Sequence, residues 1–289
     1  MSPGAAWKIA DDVWSLALPT PTLPPATTTN TMLLGRDRLV VIEAATPDPA
    51  AQDQIVDLLH ALESEGREVV ALCMTHHHVD HIGAVMRLRS EFDVPVVAET
   101  RTANRVGFGV DEIVVGDEIG ATAWSCDLGG GMRVEAIYTP GHADGHLVYW
   151  EPDTAICYAG DMVAGEGTIL IDRADGGDMS RYLESLEAVK ERCGDARTVV
   201  FPSHGRPSGE SLEIVRRTIR HRLAREARIV SALKTHGNQG LGFDVLLTES
   251  YADSPRAPRP LAALALDAHV HRLEVLGVVV RRGERIQLR

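Results

Sequence analysis

Residues 75–81 read Thr-His-His-His-Val-Asp-His, so that His76, His78, Asp80 and His81, all groups with ligand chemistry, fall within six residues. No other stretch limits the fold as tightly. Imidazole nitrogens and carboxylate oxygens bind borderline-soft Zn2+ at about 2.0–2.2 Å, and a site needs several of them arriving from separate chain segments. The cluster follows an apolar run, residues 68–74, and precedes Ile82, Val85, Met86 and Leu88 at helical spacing. A strand, a tight loop and a helix are predicted there, the helix N-terminus favouring the Asp80 carboxylate. Other strand ends must meet this loop.

Three more candidates sit where apolar runs stop: His142 after VEAIYTPG, Asp161 after AICYAG and His204 after TVVFPS. In α/β structures functional groups collect at strand mouths, on loops held by a rigid sheet. Gly141, Gly160 and Gly205 flank these residues and are read as scaffolding that lets the backbone turn sharply. His77 and His146 are either proton donors or structural histidines, and Asp144 is expected to cap a turn. His221, His236, His269 and His271 are assigned no role.

Short apolar runs predict strands at 13–18, 31–34, 39–42, 95–98, 133–138, 147–150, 155–158 and 198–201. Helical spacing predicts helices at 48–62, at 179–193 with Asp178 or Ser180 as cap, and from Ser211 onward. The proline- and threonine-rich LPTPTLPPATTTN cannot continue a central strand and is read as a stiffened loop. The final part runs helix to Gly237, helix over 243–251, the turn SPRAPRP, helix over 261–276 and a hairpin around 282–284. That is the order of a winged-helix unit. At 289 residues the chain suits a large α/β domain, 1–210, and a smaller one, 211–289.

HHHVDH, TPGH, GD and SHG, in this order and at these separations, resemble the metal motifs of the metallo-β-lactamase superfamily. The resemblance implies an αβ/βα sandwich holding two Zn2+ per chain. It implies that His76, His78 and His142 bind the first ion, that Asp80, His81 and His204 bind the second, and that Asp161 bridges them. The implied chemistry is hydrolysis by a metal-bridging hydroxide, with Asp80 orienting it. Asp80-His81 with His204 is similar to the glyoxalase II branches; Cys126 and Cys157 match no cysteine ligand of the antibiotic-degrading branch. The stretch GDMVAGEGTILIDRADGGDMSRYLESL and the basic tail look most like the β-lactamase-like protein 2 group, whose resemblance implies single-strand endoribonuclease activity as an alternative.

Charge bears on the substrate. The net charge is −12, but residues 210–289 carry 14 Lys+Arg against 9 Asp+Glu, leaving 15 against 32 for residues 1–209. The acidic part would repel a polyanion, so an ester, thioester or lactone on a small molecule or an acyl carrier is expected before single-stranded RNA. Sequence-specific DNA binding is not expected, because the third tail helix offers only Arg272. No apolar run approaches the ~20 residues that span a bilayer, no secretory n-region opens the chain, and four scattered cysteines suggest reduced thiols. A cytoplasmic protein without membrane contact is expected.

Overall fold

The computed structural model describes residues 7–194, 197–207 and 212–289. The first sheet has seven strands in sequence order: β1 (Trp7–Ala10), β2 (Val13–Pro19), β3 (Thr28–Leu34), β4 (Arg38–Ile42), β5 (Glu68–Cys73), β6 (Val96–Glu99) and β7 (Glu112–Val114). The first four pair antiparallel, and β4 to β7 pair parallel. The second sheet comprises β8 (Thr122–Gly129), β9 (Met132–Tyr138), β10 (Leu147–Glu151), β11 (Ile156–Gly160) and β12 (Val199–Pro202), again in sequence order. Only its last pair, β11 with β12, is parallel, which puts the C-terminal ends of both strands on one rim.

Inward residues of both sheets, among them Met32, Val40, Ile42, Tyr149, Tyr158 and Phe201, make the central core. Outside the first sheet lie α1 (Pro49–Ser64) and α2 (Val85–Phe92), burying Ile55, Leu59, Val85 and Leu88; α3 (Thr100–Ala103) is a single turn after β6. Outside the second lies α4 (Met179–Arg192), burying Tyr182 and Leu186. The result is helix, sheet, sheet, helix. Each buried aliphatic side chain of these layers contributes about 1.5–3 kcal/mol. Helix starts follow local chemistry: Asp48 accepts from the Ala51 amide ahead of Pro49, and Asp178 accepts from the Ser180 and Arg181 amides.

The C-terminal part holds α5 (Glu213–His236), the two-residue β13 (Leu241–Gly242), α6 (Phe243–Ser250), α7 (Arg259–Val275) and the hairpin β14 (Val279–Arg282) and β15 (Arg285–Leu288). This order is compatible with a winged-helix layout. The start of α5 buries Ile214, Val215 and Ile219 on the sandwich, whereas Ile229 and Leu233 enter a separate core with Leu246, Leu266 and Ile286. One helix therefore belongs to both cores. The expected domain boundary at 210/211, with Ser211, lies outside the described residues.

Strands β1, β7 and β13 and the single turn α3 were not among the expected elements, and two further differences stand out. The helix after the histidine cluster begins at Val85, three residues later than predicted, with turns over 79–84. Asp80 thus stands outside its first turn. Strand β8, not expected, lies mostly half-exposed at a sheet edge, although Trp124, Cys126 and Leu128 alternate with Ser125 and Asp127 and turn toward the central core.

Candidate metal centre

The loop after β5, residues 75–84, is anchored at its first residue by both backbone groups of Thr75. The Thr75 amide donates to Glu43 Oε1 at 2.8 Å, and the Leu147 amide donates to the Thr75 carbonyl at 2.9 Å. From this loop His76 Nε2 lies 2.9 Å from His78 Nδ1, and His142 Nε2 lies 3.2 and 3.1 Å from the same two atoms. Three nitrogens about 3 Å apart match the roughly 3.3 Å edge of a tetrahedron with Zn–N near 2.0 Å.

The outer hydrogen bonds show what those nitrogens carry. His142 Nδ1 must donate to the Leu170 carbonyl at 2.8 Å, and His78 Nε2 donates to Asp175 Oδ2 at 2.7 Å. With those protons assigned outside, His142 Nε2 and His78 Nδ1 turn lone pairs toward each other. Burial, with histidine neighbours adding to it, lowers His142 to about 4 and His76 well below the ordinary range, so both are neutral at pH 7. Converging lone pairs repel unless an electrophile sits among them.

A second group adjoins the first. His81 Nε2 lies 3.6 Å from Asp80 Oδ1 and 3.7 Å from Asp161 Oδ2, and His204 Nε2 lies 3.5 Å from Asp80 Oδ2 and 3.4 Å from Asp161 Oδ1. Asp161 Oδ2 is also 3.6 Å from His142 Nε2, so its carboxylate faces both groups. His81 Nδ1 pairs with the buried Glu43 carboxylate, and His204 Nδ1 donates to the Thr28 carbonyl at 3.0 Å. Both Nε2 atoms consequently face inward. His81 Nε2 and Asp161 Oδ1 are buried without a hydrogen-bond partner among the described residues, atoms a cation would satisfy. Burial would lower His81, but Glu43, Asp161 and Asp80 raise it to about 10; a metal ion at Nε2 displaces that proton. Burial would raise Asp161, but His81, His204 and His142 hold it well below the carboxylate range, hence anionic.

All seven predicted residues, His76, His78, Asp80, His81, His142, Asp161 and His204, thus meet at one rim of the sandwich, and the donor set suits two zinc-type ions. Residues 24–204 match the Metallo-beta-lactamase superfamily. The chain belongs to that superfamily. It is 30% identical over 240 residues to a beta-lactamase-like protein 2 homolog of Caenorhabditis elegans, covering 82% of this chain and 75% of that one. A hydroxyacylglutathione hydrolase of Bdellovibrio bacteriovorus is 27% identical across 56% of this chain and 58% of its own length. In fold, the chain is similar to a beta-lactamase domain protein from Burkholderia ambifaria, with TM-score 0.81 at 18% identity, covering 100% and 94% of the two chains. This superfamily membership makes the protein a metal-binding hydrolase.

Several groups around the site escaped sequence reasoning. Glu43 and Asp175 orient His81 and His78, and Asn30 Nδ2 binds the Pro202 and Gly205 carbonyls on either side of His204. The stiffened loop also reaches the site, with Thr22 Oγ1 3.4 Å from His204 Nε2. His146 is structural: Nδ1 meets the Thr139 hydroxyl at 3.0 Å and Nε2 accepts from the Asp161 amide at 3.2 Å. His77 Nε2 is engaged by Arg105 and Asp175 at 3.1 and 3.3 Å. Asp144 caps no turn; its backbone carbonyl accepts from Tyr138 Oη.

Gly141 shows how tightly the His142 loop is set. At φ +133° a Cβ there would lie 2.2 Å from the Tyr182 amide nitrogen. Gly141→Ala is expected to cost about 3 kcal/mol or more of unfolding free energy, read by urea titration, because backbone of α4 must move. A loss under about 1 kcal/mol would show the loop to be looser than described.

Proposed function

We propose that this chain is a dinuclear zinc hydrolase acting on an activated acyl bond, a thioester before an oxygen ester or lactone. The observation that supports it most is the Asp161 carboxylate standing between two groups of inward-facing imidazoles. His76, His78 and His142 would hold one ion, Asp80, His81 and His204 the other, with Asp161 shared. Bound zinc pairs supply water ionised near neutral pH and an electrophile for the carbonyl oxygen. Asp80 would use one carboxylate oxygen to bind and the other to orient the attacking water.

The leaving group narrows the class. His146 spends both ring nitrogens on Thr139 and the Asp161 amide, and His77 is held by Arg105 and Asp175. A thiolate, with thiol pKa about 8.5, departs without a proton donor far more readily than an alkoxide. The hydroxyacylglutathione hydrolases among the relatives bear names that describe hydrolysis of an acylated glutathione, which agrees with this class.

Single-strand RNA cleavage is the second reading, favoured because the likeness to the beta-lactamase-like protein 2 homologs spans 82% of the chain. Against it, many tail cations are paired internally: Arg225 with Asp253, Arg259 with Asp244, Arg272 with Glu226, Arg281 with Asp267 and Glu274. Cations so occupied are poor phosphate ligands. The tail, residues 211–289, is proposed to be a winged-helix-like unit serving the catalytic domain and reading no duplex DNA. No described helix is long and apolar enough to cross a membrane. Free Cys73, Cys126, Cys157 and Cys193 support a reducing, cytoplasmic setting.

The test is purified protein assayed on acyl-thioesters, oxygen esters, lactones and single-stranded RNA, with and without chelator. Thioester turnover that chelator abolishes, and that falls with zinc content in His78→Ala, is expected. Chelator-sensitive RNA cleavage with no acyl turnover would replace the first reading by the second.

A further inference from the structure

Residues 169–175, Ile-Leu-Ile-Asp-Arg-Ala-Asp, form a strap between the imidazole trio and the C-terminal helices. On its inner side the Leu170 carbonyl accepts from His142 Nδ1 at 2.8 Å and Asp175 Oδ2 accepts from His78 Nε2 at 2.7 Å. On its outer side the Ile169 carbonyl accepts from Arg222 Nη2 at 2.5 Å, and Arg173 Nη1 meets Asp267 Oδ2 at 2.8 Å. Arg222 belongs to α5 and Asp267 to α7. The strap thus faces two of three trio imidazoles from one side and two tail residues from the other.

Each outer contact has a feature that plain surface pairing lacks. Arg222 is 3% exposed, packs 5.3 Å over the Tyr182 ring, and leaves Nε buried without a hydrogen-bond partner among the described residues. The cost of burying this guanidinium must be offset by the contacts it keeps, which include the Ile169 carbonyl and the Tyr182 ring. Its Nη2 sits one residue from the carbonyl that sets the His142 tautomer. Asp267 holds Arg173 with one oxygen and Arg281 of β14 with the other at 2.8 Å, tying the strap to the hairpin. Within the strap Asp172 accepts from the Ala174 amide, and Arg105 Nη1 pins Asp175 Oδ1 at 2.6 Å, so little slack separates the outer contacts from the inner ones.

We propose that the C-terminal region sets the metal affinity of the His76–His78–His142 site, with Arg222 and Asp267 as positioning residues that act through the 169–175 strap. The chain of contacts runs from tail side chain to strap backbone to imidazole tautomer. It leaves the Asp80–His81–His204 group alone, whose outer partners are Thr28 on β3 and Glu43 directly after β4. This inference rests on the two-metal reading above.

The experiment uses the full-length chain as wild type, Arg222→Met, Arg222→Lys, Asp267→Asn and the double variant Arg222→Met/Asp267→Asn. Asp267 is a third exposed, so Asp267→Asn keeps the fold if the buried arginine variants do not. Zinc affinities come from titration against a chromophoric chelator. Imidazole 15N resonances of metal-free protein report the His78 and His142 tautomers without any metal. The double variant is expected to lose about 10-fold in affinity for the trio site, Asp267→Asn about 3-fold, with Arg222→Lys close to wild type and the second site unchanged. Averaged His142 and His78 tautomers should accompany the loss. Variants that match wild type in both zinc affinities overturn the inference and leave the two-metal reading standing. Equal losses at both sites overturn it as well, since general destabilisation would act so. Wild type that takes up no zinc overturns both.

Discussion

Asp161→Asn is expected to reduce zinc from about two equivalents per chain to about one, and to lower kcat/KM by about 10^2–10^3-fold. The amide keeps the size of the carboxylate and removes the negative charge that faces His142 on one side and His81 and His204 on the other. Among the described residues Asp80 would then be the one carboxylate left between the two imidazole groups, and the Asp80–His81–His204 group should suffer more. Metal analysis of protein prepared without chelator measures the first quantity, and steady-state kinetics on the best substrate the second. Two equivalents retained at unchanged affinity would remove Asp161 from its shared position.

Glu43→Ala is expected to destabilise the metal-free protein by about 3–5 kcal/mol at pH 7, by urea denaturation. Glu43 is fully buried, its Oε1 accepts from the Thr75 amide and its Oε2 pairs with His81 Nδ1. Truncation leaves both donors stranded in a dry core. Glu43→Gln, which keeps one acceptor oxygen, should cost about half as much. Because His81 is raised above its ordinary value to about 10, the pair's contribution is complete below about pH 6.5 and fades as pH rises through 10. The penalty of Glu43→Ala should therefore be smaller at pH 10 than at pH 7; an equal penalty at both would show that charge plays no part in it.

The seven inward groups were legible because each carries two signals at once, a ligand side chain and a place where an apolar run stops. Glu43 also directly follows a strand, β4, but one glutamate among 41 acidic residues has no signal of its own. Asp175 is harder still, since it lies in a glycine- and aspartate-rich stretch where turns are the ordinary expectation. The late start of α2 has a similar origin. Ile82 continues the apolar spacing of the helix, yet the Gly83 and Ala84 amides donate to the Ala45 and Ala44 carbonyls and hold the chain in turns. Periodicity reports which face is buried and is silent about hydrogen bonds to a neighbouring strand end. In the tail the helix order was legible, while the split of α5 between two cores was not, because a continuous helix gives one pattern however many partners it meets.

The strand order of the sandwich has a consequence for its biogenesis. The first sheet is complete by Val114, but Asn30 binds the Pro202 carbonyl and Thr22 meets His204, contacts 172 and 182 residues apart in sequence. Until β12 has left the ribosome, the layer that covers the inward face bearing Met32, Leu34, Val40 and Ile42 lacks its edge strand and Phe201. Closure of such distant contacts is slow, and uncovered sheet faces invite aggregation in the meantime. Filling of the Asp80–His81–His204 group would therefore wait for the emergence of His204, and chaperone demand should concentrate on nascent chains between the completion of the first sheet and that point.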